Sequence, residues 1–226
     1  MPETAAPAPS PARPAWLFGR TELIIVILLG LVSLATAYAS FEASLYGGIQ
    51  QSSYTKGNNL ETEAESLYLE ANQQYTQDAQ TIQQLAVLRV AADAGDPVAK
   101  AQLEELYFVA VSEDLDAAIQ NAAALDESDA GFYHDPQADE DYQSALFGAY
   151  GEKSAEGEAL IAAGDEANSL GDKLTLSTVL MAITLFLLGV AAVIRRPRSQ
   201  VIIAAIGVVI FLGAAAIALT VPFVWL

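Results

Sequence analysis

The chain has 226 residues, 53% of them hydrophobic, yet its formal net charge is −18. A single well-mixed soluble domain rarely combines the two, so apolar and acidic residues must be segregated along the chain. So acidic a chain excludes nucleic acid as a partner, and the absence of cysteine excludes a disulfide framework, a thiolate nucleophile and a cysteine metal site.

In chain order, residues 2–15, "PETAAPAPSPARPA", are mostly Pro and Ala and bury too little apolar area to offset the entropy of ordering. Residues 1–20 are read as a disordered cytoplasmic tail. Leu23 to Phe41 is apolar apart from small hydroxylic residues, as is Leu174 to Ile194, and Val201 to Leu226 carries no charge. At about 1.5 Å per residue each can cross a hydrocarbon core of roughly 30 Å, which predicts membrane helices over 21–41, 174–194 and 201–226. Arg20 followed by an apolar run and Ala37-Tyr38-Ala39 also has the form of a cleavable secretory signal. The long leader, Glu22 and a helical pattern continuing past Ala39 favour retention.

Residues 42–173 hold 26 of the 28 acids, all but Glu3 and Glu22, against five bases, a net charge of −21. The other bases, Arg13, Arg20, Arg195, Arg196 and Arg198, sit in the tail or in "RRPRSQ". Short arginine-rich loops stay cytoplasmic, so Arg20, Arg195, Arg196 and Arg198 are the topology-determining residues, 195–200 is a cytoplasmic turn, and 42–173 is exterior.

Within that exterior domain Leu60, Ala64, Leu67, Ala71, Tyr75, Ala79, Ile82 and Leu85 recur at spacings of three and four, which predicts a helix with one buried stripe. Gly47, Gly48, Gly57 and Asn58-Asn59 should weaken it, with a bend there. Gly95 should end it, with Asp96 capping and Pro97 opening a helix to about Ser112, and another helix follows from Glu113 to about Leu125. An acidic loop, "DESDAGFYHDPQADED", leads to a return stripe of Tyr142, Leu146, Ala149, Lys153, Glu156, Leu160, Ala163, Ala167, Leu170 and Leu174. Packing of Leu67, Ile82 and Leu85 against Leu146, Leu160 and Leu170 would make an antiparallel stalk. The fold class is then an all-α membrane protein, with three transmembrane helices and an acidic, mostly helical exterior domain between spans 1 and 2.

Chemistry is sparse. His134 lies among Asp135, Asp139, Glu140 and Asp141, but the loop lacks the spaced ligands of a calcium hand, so a solvated acidic loop is the preferred reading. No hydrolase, nucleotide or zinc motif occurs. No cofactor or enzymatic role is expected. Thr36, Thr175, Ser177, Thr178, Thr184 and Thr220 are the polar groups of the spans, each able to bond its own helix backbone.

Phe41, Gly47 and Gly48 after the first span, then Asn168 and Asp172 before Leu185 to Leu187 and Gly189, make up a pattern that resembles a group of uncharacterised bacterial three-pass membrane proteins. The resemblance covers about half the chain and is strongest at the membrane. It implies that topology and a bacterial plasma membrane. The functional expectation is a non-enzymatic role in assembly or partner interaction, the partners being the lipid bilayer and a second copy or another membrane protein. A homo-oligomeric cation-conducting pore with an acidic vestibule is the alternative, and an ectoenzyme using the carboxylates ranks third.

Overall fold

The computed structural model describes residues 15–129 and 131–224, with side chains from Thr21 onward. Among them there are α-helices and one 3-10 turn, and no strand. The helices are α1 (Ala15–Asp93), α2 (Pro97–Ala110), α3 (Glu113–Ser128), α4 (Glu140–Val193) and α5 (Pro197–Leu219). Three of them, α1, α4 and α5, contain stretches long and apolar enough to cross a membrane. Residues 1–14 of the expected tail lie outside the described residues, as does the side chain of Arg20.

Local chemistry explains the ends. Gly95 takes φ +98, a conformation that L side chains resist, and its N–H returns to the Ala92 carbonyl at 3.0 Å, closing α1. Asp96 then accepts from the N–H groups of Val98 and Ala99, and Pro97 occupies the first turn of α2 where no donor is needed. Ser112 caps α3 through the Leu115 N–H, and Asp139 caps α4 through the N–H groups of Asp141 and Tyr142. The weak stretch around Gly47, Gly57 and Asn58 does not interrupt α1, and only at Gly57 does a neighbouring helix come close, at Gly157 and Ile161. The third apolar helix stops at Leu219, short of the end of its apolar run, and Pro222 follows in irregular chain.

The chain divides into two units, residues 1–52 with 164–226 and residues 53–163. We call them the span unit and the acidic unit. In the span unit Ile25, Val32, Met181, Leu188, Ala191 and Ala214 are buried together, while Leu23, Ile24, Val26, Ile27, Val201, Ile202 and Leu212 are exposed. Apolar side chains on the outside of apolar helices are what a lipid solvent permits. Helix α5 closes on α4 at Gly207, whose vacant Cβ position lies 3.6 Å from Leu187 and Leu188. The Thr36, Ser177 and Thr184 hydroxyls donate to carbonyls four residues back in their own helices, and Thr184 also reaches Gly207 O of α5 at 3.3 Å.

In the acidic unit α1 and α4 run antiparallel. Rising positions on α1 meet falling positions on α4: Gly57 with Gly157 and Ile161, Glu61 with Ser154, Tyr68 with Tyr150, Asp78 with Tyr142. Gly57, Ala64, Ala71, Asp78 and Leu85, every seventh residue, are buried. The return stripe differs from the sequence reading. Ala149, Glu156 and Ala163 are exposed, and buried places fall to Gly157 and, in the span unit, Gly164, neither on the expected stripe, while Tyr142, Ala167 and Leu174 of that stripe are buried and Lys153 and Leu160 half-buried. The two helices approach closely where Gly57 faces Gly157: a Cβ on Gly57 would lie 2.7 Å from Ile161 Cγ1 and 3.0 Å from the Gly157 carbonyl oxygen.

Candidate functional site

The ends of the acidic unit's helices build a groove. The core beneath it is Leu115, Ala118 and Tyr142, with Tyr75, Ile82, Val111, Ile119 and Leu146 packed around. Asp78, only 1% exposed, is held there by donors: Tyr142 Oη at 2.7 Å and Gln74 Nε2 at 2.8 Å. Gln137 donates to the Tyr75 carbonyl at 2.8 Å, and Gln143 donates to the Gln137 carbonyl, which ties the 3-10 turn at Pro136–Ala138 to both long helices. A buried carboxylate without such donors would cost far more than a neutral polar group. Burial, and then the hydrogen bond to Asp78, push the Tyr142 phenol well above its ordinary range.

The groove itself has a volume of about 350 Å³. Ile82 and Leu85 of α1, Leu103 of α2 and Ile119 of α3 are its apolar lining; Arg89, Tyr107, Asp126, Tyr133 and His134 are polar groups on it. Tyr107 is fixed by donating to Asp116, and burial together with that bond pushes its phenol up to about 12. Asp126 Oδ1 accepts from both the backbone N–H and the Nδ1 of His134 at 2.8 Å, which secures the loop. The ring and backbone bonds from His134 lower the Asp126 carboxyl below its usual range. His134 therefore braces a loop, and among the described residues no three His, Cys, Asp or Glu side chains converge to hold a metal ion.

The other sequence-selected residues are scattered. Arg195, Arg196 and Arg198 are exposed around the start of α5, and Arg196 caps it without a side-chain bond. Ile82, Leu85 and Leu146 come together near the groove, whereas Leu67 and Leu160 are half-buried along the helix pair. Leu170 does not join them: it packs in the span unit against Ala39, Tyr46, Ala167 and Leu174.

Two buried carboxylates escaped the sequence reading. Asp78 takes the place expected of Ala79; the signal was its position seven residues after Ala71 and seven before Leu85. Glu42, counted among the exterior acids, is only 2% exposed in the span unit. Its Oε2 accepts from the Val224 N–H at 3.3 Å, its Oε1 has no donor among the described residues, and Tyr46 beside it donates to the Pro222 carbonyl at 2.7 Å. Glu42 lies three residues after Ala39 and four before Tyr46, on the stripe that Ile25 and Val32 begin, so this signal too was present.

The chain matches no protein-family model, and no curated protein or solved structure is significantly similar to it. Function must therefore be argued from the residues themselves.

Proposed function

We propose that this chain is a non-enzymatic, multi-pass protein of a bacterial plasma membrane whose acidic helical domain faces the exterior and engages a partner or a second copy. The observation that carries the reading is the apolar surface that the acidic unit leaves in the open. Val98, Phe108 and Val109 of α2 and Phe132 and Tyr133 of the loop after α3 are exposed, Phe108 by 89%, on a unit rich in carboxylates. Large side chains of this kind, clustered on a polar surface, mark interaction sites. The arginines at 195, 196 and 198 support an interior hairpin between the second and third spans, and the long helices α1 and α4 would then form the proposed stalk as an antiparallel coiled coil.

A photo-crosslinking residue at Phe108, with exposed Glu152 as the control position, tests this in native membranes carrying two differently tagged copies. Crosslinks at 108 between copies mean assembly, and crosslinks to another protein mean a partner. A pattern no different from that at 152 rejects the reading, and cation flux through liposomes holding the purified protein would put the pore in its place. Orientation is read separately: Glu127→Cys should react with an impermeant reagent on intact cells and Arg198→Cys should not, in a chain with no cysteine of its own.

A further inference from the structure

The groove in the acidic unit holds an arginine without an ion-pair partner among the described residues and a carboxylate that uses one of its two oxygens, on His134. Arg89 has no ion-pair partner among the described residues, although acids outnumber bases severalfold around it. Asp126 spends only Oδ1 on His134, leaving Oδ2 without a donor among the described residues. Both residues line the same cavity of about 350 Å³, yet they are too far apart to pair with each other. The same cavity has apolar walls from Ile82, Leu85, Leu103 and Ile119. A volume of this order, mostly apolar and with a few convergent polar groups, is the usual description of a small-molecule site.

We propose that this groove binds a small zwitterion with an apolar body, of the amino-acid or short-peptide type, its carboxylate on Arg89 and its ammonium on Asp126. The charge balance selects that class. A simple anion would satisfy Arg89 but would add negative charge to a strongly acidic unit and face Asp126. A simple cation would meet the guanidinium. A zwitterion answers both groups and leaves the net charge unchanged, while its apolar part covers the aliphatic walls. Arg89 suits the carboxylate because its planar fork can hold both oxygens.

The test uses the full-length protein in lipid nanodiscs and isothermal calorimetry with L-leucine, leucyl-leucine, hexanoate and hexylamine. At least one zwitterion should bind saturably, and the singly charged compounds should bind about tenfold or more weakly. Arg89→Gln and Asp126→Asn should each lose about tenfold, since asparagine still offers His134 its acceptor oxygen. Ala123→Trp, at an exposed position on the groove, should fill it and abolish binding with the helical content unchanged. No saturable heat from either zwitterion at millimolar concentration overturns the proposal, and so does equal binding by hexanoate or indifference to Arg89→Gln. Calorimetry in the groove and crosslinking at Phe108 interrogate different surfaces, so either reading can fail without the other.

Discussion

The span unit and the acidic unit draw on the same two long helices and bury them at the same seven-residue interval, with different mixtures of side chain. In the span unit the buried positions of α1 and α4 include Ile25, Val32, Met181 and Leu188, together with Ala39, Ala167, Ser177 and Thr184. In the acidic unit they are Gly57, Ala64, Ala71 and Asp78 on one helix and Gly157 and Tyr142 on the other. Lipid offers apolar side chains no hydrophobic penalty, so association there rests on close packing, here of aliphatic side chains interleaved with small and hydroxylic ones. In water, a helix pair lined with acids gains by bringing its backbones close and letting a few donors define the register. Gly57 against Gly157 supplies the first and Tyr142 on Asp78 the second.

The largest effect that would break this contrast is a leucine truncation in each unit. Leu115→Ala removes a fully buried side chain from the core under the groove and should cost about 2–5 kcal/mol. Leu188→Ala, equally buried, should cost distinctly less, because lipid-embedded helices lose packing but not hydrophobic transfer. Chemical unfolding of the full-length protein in mixed micelles, followed by circular dichroism, compares the two. Equal losses would mean that both seams sit in the same solvent.

A smaller effect is expected from Tyr142→Phe, which leaves the Asp78 carboxylate short of a donor and should destabilise by about 1–3 kcal/mol. The double change Asp78→Leu with Tyr142→Phe should recover much of that loss, since a buried polar pair replaced by apolar groups is often neutral. A double mutant no better than Tyr142→Phe alone would show that the pair does more than satisfy itself.

The glycines sharpen the comparison further. Gly57→Ala should destabilise by about 1–3 kcal/mol despite alanine's higher helix propensity, because its new methyl meets Ile161 and the Gly157 backbone. At Gly157 the atom in the way, 2.7 Å from the added Cβ, is the flexible end of Glu61. Gly157→Ala should therefore be neutral or stabilising by up to about 1 kcal/mol. Thermal melts of the two variants side by side decide it, and equal destabilisation would remove the argument from close approach.

The smallest expected effect is on acid stability. Asp126 is lowered by the His134 ring and backbone bonds, and Asp139 by the Tyr142 N–H and then Asn121. The unfolded chain then holds these protons more readily than the folded one, so the contribution is complete above the ordinary carboxyl value of 3.8 and is lost as pH falls through the lowered values. Both side chains face solvent, and the effect is correspondingly slight. Asp126→Asn with Asp139→Asn should flatten the low-pH part of a stability profile and leave neutral pH almost unchanged; an unaltered acid limb would show that other carboxylates govern it.

Much of the architecture was legible because its causes are local. Three apolar stretches, the Gly95–Pro97 break, the Ser112 cap and the Pro197 start each depend on a few adjacent residues, and the structure places helix ends there. The groove was not legible, since its walls come from α1, α2, α3 and the loop before Pro136, and no single segment shows the pattern. The return stripe was misread for a related reason: periodicity in a helix rich in Ala and Gly barely distinguishes neighbouring faces, so Ala163 and Gly164 look equally suitable until a partner helix selects one.

By itself, then, the sequence determined where the chain is apolar enough to cross a membrane, where the breaks at Gly95, Ser112 and Pro197 fall, and how sharply its charge is segregated, since hydropathy, capping and charge are properties of contiguous residues. Only the tertiary structure decided which carboxylates are withdrawn from water, that Gly57 and not an alanine sits at the closest approach, and that Arg89 and Asp126 share one cavity. Those outcomes depend on the register between segments far apart in the chain, as between Asp78 and Tyr142, and a register is set by the fit of two surfaces that no one stretch of sequence contains.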